Sequence, residues 1–355
     1  MPPTQIFDGH NDLLARLFLR GGTKAVSTFK DGRPRGHLDA QKAQKGGFAG
    51  GLFAIWVPNG PCDAQPLKET AQKVSSSAYN LPLPPAVDYK EALPAAREQL
   101  ATLKALEAEG DLVICTSASA IEEAIANERI AAVVHMEGAE AIDPDFEQLH
   151  RFYADGLRSL GPVWSRPTRY GSGVPFDFPA TPDIGLGLTD DGKRLIEQCN
   201  ALKILVDLSH LNEKGFWDVA EISDAPLVAT HSNVHVLCQH ARNLTDKQFD
   251  AIAQTKGLVG LNFATAFLRS DGRMTSDTPV SLMVDHLTYM VERMGEDCVA
   301  LGSDFDGAIV PKEIESSAGL PVLVTALEDA GFGCALINKI CHGNWLRVLR
   351  ATWGE

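Results

Sequence analysis

No run of this chain comes near the roughly 20 consecutive apolar residues that a membrane-spanning helix needs, so integral membrane proteins are excluded first. The start lacks the basic segment, apolar segment and small-residue cleavage site of a secretory signal, and strand-like residues begin at Ile6 and Phe7. The expectation is a cytoplasmic protein. CxxC pairs are missing as well. The seven cysteines (Cys62, Cys115, Cys199, Cys238, Cys298, Cys334, Cys341) are scattered and odd in number, which fits free thiols better than a disulfide framework or a structural zinc finger. Positive charge is in deficit, with 32 Lys and Arg against 46 Asp and Glu, a net charge of -14. A nucleic-acid partner is thereby disfavoured, because that affinity rests on cations neutralising phosphates. Internal repeats and low-complexity tracts are absent too.

What the 355 residues do contain is alternation. Short apolar runs at 51–57, 111–117, 130–137, 157–164, 204–210, 226–232, 257–263 and 298–306 follow the opening strand, and helical patterns at 91–108, 189–202, 245–254 and 279–294 separate them. Strand, helix, strand in series is the signature of a parallel sheet with helical crossovers. Nine strand candidates are one too many for a closed eight-stranded barrel, and 111–117 is the expected extra. Thr or Asp stands before several helices as an N-cap. Two segments rich in Pro, Gly and Ser, 58–88 and 165–187, interrupt the rhythm and suggest long functional loops on a single domain spanning 1–355.

The chemistry collects where strands end. His10 and Asp12 follow the first strand, and residues two apart on a strand share a face. Glu137 closes "VVHMEG", His210 closes "VDLSH", His231 closes "VATHS", and Asp304 lies in "GSDFDG". In a parallel barrel all these ends lie on one rim, so six residues spread over nearly 300 positions would meet in one cavity. Any one of the histidines alone would more simply be a hydrogen-bonded structural residue, and Glu137 alone a helix cap. Independent structural roles, however, give no reason for six such residues to fall at strand ends. Three imidazoles and three carboxylates suit zinc or a similar divalent ion, and they exceed one tetrahedral shell. Two ions are therefore expected, with Glu137 able to bridge them through its two oxygens. A hydroxide shared by paired ions is a strong nucleophile at neutral pH, and Asp304 could take its proton and return it to a leaving amine.

In their order and spacing, "FDGHNDL", "HMEGAE", "LVDLSH", "VATHSN", "ARN" and "GSDFDG" resemble the membrane (renal) dipeptidase family, peptidase family M19 of the amidohydrolase superfamily, over essentially the whole chain. The resemblance implies a distorted (β/α)8 TIM barrel of amidohydrolase type holding two zinc ions. It assigns His10 and Asp12 to one ion, His210 and His231 to the other, Glu137 to both, and proton transfer to Asp304. Arg242, in "ARN", is implied to bind the α-carboxylate of a dipeptide, and such enzymes tolerate a D-residue on the C-terminal side. A homodimer is the usual family arrangement. The chain departs from the pattern at Trp164, where members commonly carry a carbonyl-polarising His. The indole then lies at a substrate-binding position, and Arg166, Arg169, Tyr170 or a zinc ion is left to act as electrophile. Mammalian members are secreted and lipid-anchored, features this sequence lacks. Other amidases and lactonases of the superfamily, such as an N-acyl-amino-acid hydrolase, are the alternative function, and a non-catalytic metal-binding scaffold is a third. Deaminases and many other relatives open with His-x-His, whereas His10-Asn11-Asp12 favours the dipeptidase branch.

Overall fold

A computed structural model describes residues 3–33, 35–59 and 78–355. The segments that build the central barrel are β1 (Ile6–Asn11) and β2 (Phe48–Trp56), the ends of the first crossover. Beyond them come β3 (Tyr79–Leu81), β4 (Leu112–Ile114), β5 (Ile130–Glu137), β6 (Leu157–Gly161), β7 (Phe176–Phe178) and β8 (Leu205–Val206). The set ends with β9 (Val228–Ala229), β10 (Leu258–Leu261) and β11 (Val299–Leu301). One parallel arc runs β1-β2-β5-β6-β8 and a second runs β9-β10-β11. Two seams join them. Asp207 pairs with Val228, and Asn11 pairs with Phe305, where the Asp304 amide also donates to the His10 carbonyl at 3.0 Å. Among the described residues these eight parallel strands make a closed ring, the expected barrel in distorted form.

The barrel is held by packing on both faces of its strands, as parallel sheets require. Inside, near the N-terminal ends, Phe7, Leu52, Val133, Leu205, Val228 and Leu258 fill one buried cluster. Trp345, from the terminal helix Asn344–Trp353, closes this end of the barrel, and its indole donates to the Leu301 carbonyl at 2.9 Å. Gly9 makes room for it, since a Cβ there would lie 2.4 Å from the Trp345 ring. Outside, each helix buries one stripe. Tyr89–Ala108, for instance, turns Ala92, Ala96, Leu100, Leu103 and Leu106 inward at spacings of three and four. The expected caps form: Thr189 accepts from the Gly192 amide, and Thr245 with Gln248 makes a capping box.

The run at 111–117 is indeed the extra strand. β4 pairs with Ile130–Ala132 of β5, on the edge whose C-terminal part pairs with β6, and so takes no place in the ring. The interrupting segments meet each other: β3 and β7 form an antiparallel ribbon, Tyr79 opposite Phe178 and Leu81 opposite Phe176. Most of the first of these segments, residues 60–77, lies outside the described residues, as does Cys62. The other six cysteines are free. No helix among the described residues is long and apolar enough to cross a membrane.

Candidate metal centre and substrate cavity

All six acidic and imidazole side chains expected at the strand ends do converge. His10 lies within β1 and Glu137 is the last residue of β5, while His231 follows β9 by two residues. His210 and Asp304 come four and three residues after β8 and β11, on backbone in the left-handed region, with φ of 69° and 59°. Such a conformation is costly for a non-glycine residue and clusters at functional sites. Asp12 differs from the strand argument. The strand ends at Asn11 and Asp12 turns away (φ -104°, ψ 27°) as N-cap of the helix Leu13–Phe18, yet its carboxylate still reaches to 3.5 Å from His10 Nε2.

Glu137 Oε1 is the hub. It lies 2.9 Å from His210 Nε2, 3.6 Å from His231 Nε2 and 3.7 Å from His10 Nε2. His210 Nε2 and His231 Nε2 face each other at 3.0 Å, and ligand atoms of His10, Asp12 and Asp304 form a second group within 4.8 Å. His10 is fully buried, and neither of its ring nitrogens has a hydrogen-bond partner. Buried polar atoms without partners are rare, and nitrogens and carboxylate oxygens gathered this closely are a donor set for divalent cations. The residues present thus fit a metal.

Behind this cluster a further layer fixes the rings. Ser165 Oγ meets His210 Nδ1 at 2.8 Å, and Thr230 Oγ1 meets His231 Nδ1 at 2.8 Å while donating to Asp207 Oδ2 at 2.6 Å. Bonds of this kind settle which nitrogen is free to ligate. Asn262 Nδ2 donates to Asp304 Oδ2 at 3.0 Å. Asp207, Thr230, Ser165 and Asn262 went unnoticed as functional residues in the sequence. Asp207 and Thr230 lie inside the motifs "LVDLSH" and "VATHSN", which could have marked them, whereas Asn262 carries no local signal.

The electrostatics reflect carboxylates crowded out of water. Burial opposes charge on His10, but the Glu137, Asp12 and Asp304 carboxylates outweigh it and raise its pKa to about 10. Burial pushes the Glu137 carboxyl well above its usual range, with Asp12 and Asp304 adding to the effect. Asp304 is raised to about 6, by burial first and by Asp12 second. Carboxyl groups held this close together away from water each favour a proton or another cation beside them.

A cavity of about 920 Å³, mouth included, opens above the cluster. Asp12, Glu137, His210 and Asp304 form its floor, and Trp56, Trp164, Phe176 and Phe267 supply aromatic walls. Trp164 is therefore a cavity residue, its ring 6.0 Å from that of His210 and edge-on to Trp56 at 5.3 Å. Arg242 lies buried after β9, with Nη2 donating to the His231 carbonyl at 3.0 Å and no carboxylate partner among the described residues. The expected electrophile substitutes require correction. Arg166 is locked by Glu140 at 2.6 Å, Asn59 at 2.6 Å and the Val57 carbonyl at 2.6 Å. Arg169 is exposed and pairs with Asp191, and the Tyr170 hydroxyl donates to the carbonyls of Ile142 and Asp143. Each is satisfied structurally elsewhere. Asp306 accepts from buried Arg33 at 2.6 Å and from the His37 amide.

An eight-stranded parallel barrel with imidazoles and carboxylates gathered at the C-terminal rim defines a metal-dependent hydrolase of the amidohydrolase type. The family model of membrane dipeptidases (peptidase family M19) matches residues 1–353, and the chain belongs to that family. It is a metallodipeptidase by family. A Klebsiella pneumoniae protein described as "Uncharacterized protein in pqqA 5'region" is 50% identical over 260 residues, 73% of this chain and 96% of that one. A metallo peptidase from Rhodobacter sphaeroides, crystallised with a phosphinate mimic of the dipeptide L-Ala-D-Ala, superposes with a TM-score of 0.95 at 47% identity, covering 99% of this chain and 100% of that one. The probable dipeptidase PvdM from Pseudomonas aeruginosa, 22% identical with a TM-score of 0.81 over 99% of this chain and 96% of its own, shares the fold.

Proposed function

We propose that the protein hydrolyses dipeptides with two zinc ions, one held by His10 and Asp12, the other by His210 and His231, and both by Glu137. The observation that carries this reading is the position of Glu137 Oε1, within 3.7 Å of an Nε2 atom of all three histidines. Ions bound there would supply a water nucleophile at neutral pH and polarise the peptide carbonyl. Asp304 then acts as the proton carrier: Asn262 holds Oδ2, leaving Oδ1 to accept the proton of the attacking water and return it to the leaving amine. Arg242 binds the substrate α-carboxylate, since its buried guanidinium has no acidic partner among the described residues and can grip a carboxylate through parallel N–H donors. Trp164 packs against the bound substrate. Tolerance of a D-residue at the C-terminal side is supported by the Rhodobacter relative's ligand.

The whole of 1–355 is read as one barrel domain, cytoplasmic in keeping with its free thiols and paired as a homodimer. A panel of L,L- and L,D-dipeptides, N-acyl amino acids and lactones, turned over by zinc-loaded protein, tests the reading. Dipeptides should give kcat/KM values at least about a hundredfold above the other classes. A preference for N-acyl amino acids or lactones would move the protein to another branch of the superfamily.

A further inference from the structure

Arg16 lies on the cavity wall, half-buried on the helix Leu13–Phe18 that Asp12 caps. Its Nε donates to the Asp306 main-chain carbonyl at 2.6 Å, which anchors the guanidinium. The Asp306 carboxylate is not its partner, because Arg33 and the His37 amide already hold it. No other carboxylate among the described residues forms an ion pair with Arg16. Buried arginines elsewhere in this chain behave differently: Arg33 pairs with Asp306 and Arg166 with Glu140, each at 2.6 Å. Among the described residues, Arg16 and Arg242 alone combine a place beside the cluster with a guanidinium that forms no ion pair. Besides the acidic side chains of the floor, the cavity that Arg16 lines is bounded by apolar residues including Ala15, Leu19, Met274 and Ala308. A guanidinium with both Nη groups uncommitted beside apolar surface is a built receptor for one carboxylate.

We propose that Arg16 selects dipeptides bearing an acidic side chain, its two Nη groups donating to the side-chain carboxylate of an aspartyl or glutamyl residue. The inference rests on the dipeptidase reading, in which Arg242 takes the main-chain carboxylate. An acidic dipeptide carries two carboxylates, and the centre offers two unmatched guanidiniums. In a protein of net charge -14 the overall field repels such a substrate, so local cations must supply the recognition.

Isosteric pairs test this. Steady-state kcat/KM is measured for Ala-Asp against Ala-Asn and for Asp-Ala against Asn-Ala, with Ala-Ala alongside, on zinc-loaded enzyme and its Arg16→Met and Arg16→Lys variants. In the native enzyme the acid of one pair should exceed its amide by about tenfold or more, as charge-assisted hydrogen bonds imply. That acid-to-amide ratio should fall to near one in Arg16→Met and be partly kept in Arg16→Lys. A ratio cancels any general loss of folded or metallated enzyme. Ratios near or below one in both pairs of the native enzyme, or a ratio that survives Arg16→Met, would overturn the proposal. Turnover of none of the five substrates would instead overturn the dipeptidase reading, a result distinct from turnover without acid preference.

Discussion

Asp304 and His210 occupy left-handed backbone that ordinary residues avoid, and both sit where the chain leaves a strand for the rim. The backbone is bent so that His210 reaches Glu137 and Asp304 reaches His10 and Asp12 instead of continuing the sheet. Asp304→Asn removes the proton acceptor while keeping shape and the Asn262 contact region. It should lower kcat by at least about a hundredfold with little change in KM or metal content, checked by kinetics and elemental analysis on the same preparation. Arg242→Met should cost about 2 to 5 kcal/mol in kcat/KM toward free dipeptide acids and far less toward C-terminal amides, which never form that ion pair. Equal losses on both would remove Arg242 from carboxylate recognition. His10, Glu137, His210, His231 and Asp304 were legible in sequence because each lies where an apolar run ends, and a parallel barrel gathers such ends, whereas Arg242 was legible only through the family resemblance. The supporting Asp207, Thr230 and Asn262 were not, since their roles depend on which neighbour lies across the ring. Asp12 does reach His10, but through a turn into a helix cap and not through strand pleating.

At the scale of elements, the loops after β2 and β6 are tied together by one arginine. Arg166 spans Val57, Asn59 and Glu140, so the backbone leading to Trp164 is fixed against the end of β2 and the turn after β5. Arg166→Met leaves Glu140 buried without its partner and should cost about 3 to 5 kcal/mol of stability, measured by urea unfolding. Adding Glu140→Gln should recover part of the loss; a single variant as stable as the parent would show the pair to be dispensable. Helix positions were readable to within a residue or two from apolar spacing and caps, as Asp190–Leu202 and Ser281–Met294 illustrate. Strand extents were not. β8 and β9 shrink to two residues each because the chain bends early to present His210 and His231, a demand that hydropathy does not record. The β3–β7 ribbon was equally hidden, because its two halves lie almost a hundred residues apart in loops without alternation.

For the whole molecule, metal content and acid stability follow from how charge is buried. Close to two zinc equivalents per chain are expected by elemental analysis, with Glu137→Gln weakening both sites. Chelation should lower Tm, because ligands that bind only the folded chain stabilise it by about 2.7 kcal/mol at a hundred times Kd. Full activity at one equivalent would contradict the paired site. The Asp306 carboxyl should set part of the acid response. Burial alone would raise its pKa, but Arg33 and His37 outweigh that and hold it below the ordinary value of 3.8. Its stabilisation is therefore complete above that ordinary value and is lost as pH falls through the lower native one. Asp306→Asn should flatten the acid limb of stability against pH, read by thermal unfolding between about pH 2 and 5, and an unchanged limb would assign it to other groups.

Trp345 seals the end of the barrel away from the metal centre, against Gly9 one position before His10. The first strand and the last helix are thus mutually dependent, and the seam between Asn11 and Phe305 also joins early to late chain. During synthesis the first ligands emerge long before the residues that hold them in place. A nascent chain stalled before Trp345 clears the ribosome should remain protease-sensitive, however many of the residues proposed to hold metal it already carries. Extending the stalled chain until the helix Asn344–Trp353 is exposed should convert it in one step to a protease-resistant form.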